Sequence, residues 1–277
     1  MMRLGLSIVV AATLAACQPQ AEAPAAPDTT PRRIVSLDYC ADQYVLKLVE
    51  PERILAVSED AERPFSYMRE AAKGVPKVRS SVEDVLALKP DLIVRAYGGG
   101  PQAGTFLERA GIPVLKVGFS RSLDAAKMVI RDIANGLHAK AAGAAVIADM
   151  EMRLKALAHS ASGKSVLYMT PAGVTTGPGS DVHEMILAAG LQNFQTEAGW
   201  RPLPLERLTH EQPDLIAASF FDAKTNHPNA WSAMRHPVAR KQLRDVPTVY
   251  LDGAWTACGG WNWMDAIEAM AAGAQGL

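Results

Sequence analysis

Apolar and polar positions fall in short blocks along this chain, and the blocks alternate in kind. Runs rich in β-branched residues read as buried strands: Ile34-Val35-Ser36-Leu37, Ile54-Leu55-Ala56-Val57, Leu92-Ile93-Val94 and Val114-Leu115-Lys116-Val117. Between them, residues 41–49, 80–88 and 105–110 carry helical spacing, with Ser80 and Glu83 placed as a capping box. The rhythm returns with strands at 165–169, 215–218 and 249–251 and helices at 182–189, 205–211, 238–243 and 265–272. Strands and helices in alternation predict mostly parallel sheets covered on both faces.

The middle of the chain breaks the rhythm. No proline lies between Pro113 and Pro171, and residues 122–159 are mostly good helix formers with apolar positions near helical spacing. Gly136 and Gly143 weaken that run without having to break it. A helix of some thirty-five residues spans about 50 Å, more than one small lobe holds. The expectation is a single connecting helix over 122–160, with lobes at 32–121 and 161–277.

The two lobes repeat each other. Val82-Glu83-Asp84-Val85-Leu86-Ala87-Leu88-Lys89-Pro90-Asp91-Leu92-Ile93 returns as Leu205-Glu206-Arg207-Leu208-Thr209-His210-Glu211-Gln212-Pro213-Asp214-Leu215-Ile216. A second echo follows each copy, Gly111-Ile112-Pro113-Val114-Leu115 and Asp245-Val246-Pro247-Thr248-Val249. So long a period means two related α/β lobes with a cleft between them, the usual place for a ligand. The fold class is therefore α/β, with two Rossmann-like lobes of mostly parallel strands.

The N-terminus adds an address. Arg3 precedes an apolar stretch too short to span a bilayer comfortably, and Leu14-Ala15-Ala16-Cys17 places small residues before a cysteine. Residues 1–17 read as a lipoprotein signal peptide with Cys17 lipidated. The Pro/Ala-rich stretch 18–31 reads as a tether that cannot bury a core. A net charge of −1 and the absence of basic runs give no case for nucleic acid.

In this order, signal, tether, lobe, long helix and lobe, the chain resembles the substrate-binding proteins of ABC importers. The resemblance is to the ferric-siderophore and cobalamin type. It is carried by Arg33-Ile34-Val35-Ser36-Leu37, by the stretch from Val85 to Ile93 and by its counterpart from Arg207 to Ile216. It implies a periplasmic, lipid-anchored monomer that takes up a small metal chelate, needs no cofactor and touches the membrane only through its anchor. Ferric siderophore is the first ligand expected, then cobalamin, then haem. It also implies that Glu83 and Glu206 dock into an inner-membrane permease, although each acid also suits a first helical turn. The family's aromatic contacts match Tyr97, Trp200 and Trp255.

Loops at the C-terminal ends of strands should line the cleft. They add Tyr39 and Thr176, with Arg79, Arg95 and Arg201 as donors to ligand carboxylates or hydroxamates. Cys40 and Cys258 each follow a strand, one per lobe. They form either a disulfide stapling the lobes, the preferred reading, or two thiols facing the ligand.

An exported α/β enzyme is the rival class. No Gly-x-Ser-x-Gly elbow occurs, Gly98-Gly99-Gly100 lacks a phosphate loop's Lys-Ser/Thr, and Asp91 and Asp214 sit in Pro-Asp turns. A bare zinc or manganese site needs several converging histidines, and all six histidines lie at His138 or beyond.

Overall fold

The computed structural model of the chain describes residues 29–157, 163–220, 233–275 and 277. Cys17, the expected signal and all but the last residues of the expected tether lie outside them. In the first lobe, β1 (Ile34–Ser36) sits at the centre of a parallel sheet. β2 (Ile54–Ser58) and β3 (Lys77–Val78) lie on one side of it, β4 (Leu92–Arg95) and β5 (Val114–Lys116) on the other. Helices α1 (Tyr39–Leu48), α2 (Val82–Ala87) and α3 (Ala103–Arg109) connect these strands.

The stretch expected as one connecting helix over 122–160 folds as two. α4 (Leu123–Gly136), capped by Ser122 Oγ on the Ala125 N–H at 3.1 Å, stops at Gly136. α5 (Lys140–Leu157) begins after His138, which takes φ 55°, a left-handed turn that a helix cannot contain. The two glycines explain the geometry. A Cβ on Gly136 would lie 2.6 Å from the Leu115 side chain, and one on Gly143 only 2.4 Å from the Ala134 Cβ. The helices therefore fold back closely on each other, and Lys127 of α4 reaches Glu151 of α5 at 3.5 Å. Only α5 makes the crossing: its eighteen residues span about 27 Å at 1.5 Å each.

The second lobe has a parallel sheet of β6 (Ser165–Met169), β8 (Gln192–Asn193), β10 (Leu215–Phe220) and β11 (Thr248–Asp252) in the order β11-β10-β6-β8. Beside it, β7 (Val174–Thr176) pairs antiparallel with β9 (Trp200–Pro202). Its helices are α6 (Asp181–Ala188), α7 (Pro237–Asp245), the short α8 (Gly253–Thr256) and α9 (Trp263–Gln275). The helix expected over 205–211 is only a 3-10 turn, Arg207–Thr209.

The repeat in sequence is a repeat in hydrogen bonds. The Asp91 carboxylate accepts from the Arg32 and Arg33 N–H groups at 2.7 and 2.9 Å, tying the start of β4 to the start of β1. Asp214 does the same for β10 and β6, accepting the Ser165 N–H and Oγ–H at 2.8 Å each. Ile93 donates to the Pro113 carbonyl at 3.0 Å, and Ile216 to that of Pro247 at 2.9 Å. Each Pro-Asp pair thus sets where neighbouring strands begin, and so where their C-terminal ends stop.

One apolar core serves both lobes. Tyr44 of α1, Ile130 of α4, Met150 of α5, Met185 of α6 and Trp263 of α9 all belong to a single buried cluster. Burial of this kind resists relative motion, because close-packed interiors deform poorly.

One buried acid makes a pH prediction. Asp42 of α1 accepts from the Ser58 N–H at 3.0 Å and its hydroxyl at 2.5 Å, fastening the helix to the end of β2. Burial pushes its pKa up to about 6, although the hydrogen bonds from Ser58 oppose the shift. A raised carboxyl binds its proton better in the fold. Its stabilising contribution is therefore complete below the unfolded pKa near 4 and is lost as pH rises through about 6. Over that window roughly 3 kcal/mol of stability should disappear. Asp42→Asn should flatten this part of a urea-midpoint profile taken from pH 4 to 8. An unchanged profile would place the titration elsewhere.

Candidate functional site

The cleft is organised by one carboxylate. Asp38 caps α1, its Oδ1 accepting the Ala41 N–H at 2.9 Å. Its Oδ2 accepts three more N–H groups, from Ala96 at 2.7 Å, Tyr97 at 3.0 Å and Gly98 at 2.9 Å. The first turn of α1 and the loop after β4 are thereby fixed to each other. That places Tyr39 beside Tyr97, ring centres 6.0 Å apart, with the Phe65 ring 4.7 Å from that of Tyr39. Glycine is required at 98, where a Cβ would stand 2.2 Å from the Leu37 carbonyl oxygen.

Between the lobes lies a cavity of about 620 Å³. Tyr39, Tyr97, Lys116 and Phe119 line it from the first lobe, and Asp181, Ala257 and Gly259 from the second. A second cavity of about 550 Å³ shares Tyr39, Asp181 and Ala257 and continues past Tyr168 to Trp200. Both fall in the size range of small-molecule sites. Burial raises the Tyr39 and Tyr97 phenols above their ordinary range, so both carry O–H groups at neutral pH. Burial also holds the Asp181 carboxyl above the usual carboxylate range.

The floor of the cleft is covalent. Cys40, in the first turn of α1, is bonded to Cys258 of the second lobe, with Cα atoms 5.6 Å apart. Around the bridge, the Tyr44 hydroxyl donates to the Gly259 carbonyl at 2.8 Å and the Tyr67 hydroxyl to Asp265 at 2.7 Å. Arg69 pairs with Asp252 at 3.3 Å. Arg153 of α5 reaches Asp265 at 2.6 Å and Glu268 at 2.7 Å. Asn262 donates to the carbonyls of Trp255 and Cys258 at 3.0 and 2.9 Å, shaping the loop that carries the second sulfur.

The sequence-predicted residues separate into two groups. Tyr39, Tyr97 and Trp200 line the cleft, the last two half-exposed. The three arginines do not. Arg79 turns to Asp84 at 2.8 Å. Arg95 is buried and donates to the Gly98 and Gly100 carbonyls at 2.8 and 2.6 Å, bracing the loop rather than facing the cavity. Arg201 donates to the Ala198 carbonyl at 3.2 Å and lies 3.6 Å from Glu197. Thr176 is buried and its hydroxyl donates to the Gly199 carbonyl at 3.2 Å, while Trp255 packs against the core. Lys116, Phe119 and Asp181 were not anticipated. Lys116 closes β5, Phe119 lies in the loop after it and Asp181 opens α6, so the strand-end rule that selected the other loops also covers Lys116 and Phe119.

Glu83 and Glu206 are exposed, and neither makes an ion pair among the described residues. Ser81, not Ser80, caps α2, accepting the Asp84 N–H at 3.2 Å, and Ser80 donates to the Leu37 carbonyl instead. The expected capping box is therefore absent and Glu83 has no capping role. No group of three His, Cys, Asp or Glu side chains among the described residues is placed to hold a metal ion.

Two parallel-sheet lobes, a crossing helix and a cleft at the strand ends define a two-lobed protein built to hold a small ligand. The chain belongs to the periplasmic binding protein family, whose pattern it matches over residues 34–240, both lobes included. No curated protein matches it in sequence. Solved structures do match in fold. A periplasmic haem-binding protein of Vibrio cholerae is 20% identical, with TM-score 0.70 over 87% of this chain and 97% of the other. A periplasmic vitamin B12-binding protein of the same organism is 22% identical, with TM-score 0.61 over 88% and 97%. A possible iron-binding periplasmic solute-binding protein of Staphylococcus epidermidis is 17% identical, with TM-score 0.70 over 88% and 99%.

Proposed function

We propose that this chain is the extracytoplasmic substrate-binding component of an ABC importer and that it captures a metal chelate between its lobes. The observation that carries this reading is the pair of adjoining cavities at the strand ends, walled by aromatic rings from both lobes. Flat aromatic faces suit a large, partly apolar chelate. The similar structures named above are of proteins described as binding haem, vitamin B12 or iron. A ferric siderophore, a corrinoid and haem are the candidate cargoes. Residues 1–17 direct export to the periplasm, Cys17 carries the lipid, and the following spacer lets the lobes stand off the membrane.

Tryptophan fluorescence of residues 32–277, titrated with ferric siderophores, cobalamin, haem and free metal ions, tests the reading. Saturable quenching by one chelate without turnover is the expected result. Response to free metal alone, or turnover of a chelate, would overturn it. The full chain should also sediment with membranes, and Cys17→Ser should release it.

A further inference from the structure

β5 pairs with β4 so that Lys116 lies beside Arg95 at the C-terminal edge of the sheet. Arg95 is consumed inward by the Gly98 and Gly100 carbonyls. Lys116 is exposed and lines the 620 Å³ cavity, and its ammonium makes no ion pair or hydrogen bond among the described residues. Five positions on, the Arg121 guanidinium lies over the Phe119 ring, 5.7 Å from its centre, also with no carboxylate within ion-pair reach among the described residues. The loop between them is not free to wander. Ser120 is buried against Gly259 of the second lobe, where a glycine Cβ would come within 3.0 Å of the serine Cβ.

The opposing wall answers weakly. Among the residues lining the two cavities, Asp181 is the sole carboxyl, and it is already partly buried and accepts the Val182 N–H at 2.9 Å. Lys116 thus stands on one wall of the cleft without an ion-pair partner among the described residues, next to an apolar surface of Tyr39, Tyr97 and Phe119, while Arg121, stacked on Phe119, is near enough to Asp181 for its charge to act on that carboxyl. Cations on a concave, low-dielectric wall attract and orient an anion.

We propose that Lys116 and Arg121 recognise an oxyanion on the cargo. The captured chelate therefore bears at least one carboxylate or phosphate arm, held against the first lobe while its flat or apolar part lies on the tyrosines. This inference rests on the capture reading above and narrows its ligand class.

Four probes test it by fluorescence quenching: ferric protoporphyrin IX, its dimethyl ester, cyanocobalamin with its phosphodiester, and an uncharged ferric trihydroxamate. The wild type should bind one of the two probes that carry an anionic arm, protoporphyrin or cyanocobalamin, and which one distinguishes carboxylate from phosphate. Lys116→Gln and Arg121→Gln should each weaken that binding about tenfold, the value of one charge-assisted bond. Added salt should narrow the difference between wild type and variants. The ester and the trihydroxamate, where they bind at all, should bind variants and wild type alike. Circular dichroism should be unchanged, since both side chains are exposed. The inference is overturned if an uncharged probe binds tightest, or if the variants hold the anionic probe as the wild type does. Equal losses for charged and uncharged probes would overturn it as well. Failure of the wild type to bind any probe would instead remove the capture reading and the inference with it.

Discussion

Replacing Cys40 and Cys258 by serine together should cost this protein more stability than any other exchange at the cleft. The bridge closes a loop with a sequence separation of 218 residues. Chain entropy alone gives such a loop about 5 kcal/mol at 25 °C, by restricting the unfolded ensemble. For a domain of this size that corresponds to a melting point lower by roughly 10–20 °C. The folded lobes should nevertheless remain together. Tyr44, Tyr67, Arg69 and Arg153 still join them, and the core between them is continuous. Calorimetry of the double variant, and of the wild type with and without a thiol reductant, measures the effect. Agreement between variant and reduced protein is expected, with small-angle scattering unchanged at low temperature. A shift of less than about 2 °C would mean that residual structure already restricts the unfolded chain. A swollen scattering profile would mean that the bridge, rather than the packed core, sets the lobe angle.

The parts of the fold that could be read from residues alone are those written in local chemistry. Apolar runs located β1, β4, β6 and β10, and the Pro-Asp turns that open β4 and β10 marked where they start, because each aspartate also fastens the start of the neighbouring strand, β1 or β6. The break between α4 and α5 was not readable in this way. Gly136 and Gly143 carry only a modest propensity cost, and the left-handed turn at His138, with Leu115 packed where a Cβ on Gly136 would stand, is set by the fold. That contact is tertiary. The antiparallel pair of β7 and β9 was hidden for a related reason: Val174-Thr175-Thr176 is a good strand run, but Pro171, Gly173, Gly177 and Pro178 flank it with turn signals. Adjacent serines explain the misplaced cap, since Ser80 and Ser81 are equivalent in sequence and only the reach to Leu37 separates them.

At the cleft, aromatic residues were more legible than charged ones. Three of the four rings named at strand ends, Tyr39, Tyr97 and Trp200, line cavities, while Trp255 packs against the core. A guanidinium, with five donors on a long stem, takes whichever carbonyl or carboxylate the local backbone offers. Arg79, Arg95 and Arg201 each found one within six positions of their own place in the chain. Lys116 and Arg121 found none among the described residues, and that is visible only once the loop after β5 is folded.

Removal of both Glu83 and Glu206 should abolish uptake while leaving the cargo's affinity within about twofold of wild type. The two acids stand at matching places in the repeat, 123 positions apart, at the entry to α2 and at the cap of the Arg207–Thr209 turn. Both are exposed, and among the described residues neither has an ion-pair partner, so the folded chain gains little from them. Neither lines the cavities of the cleft. A carboxylate that serves neither stability nor ligand is free to serve a second protein. A charge pair desolvated at an interface typically costs 2–5 kcal/mol to break, which is roughly thirtyfold or more in affinity for each acid. Single alanine variants should therefore slow uptake into cells or proteoliposomes carrying the cognate permease, and the double variant should stop it. Melting points should move by no more than about 2 °C. A large fall in cargo affinity would place the acids in the site. Undiminished uptake by the double variant would assign docking to other surfaces of the two lobes.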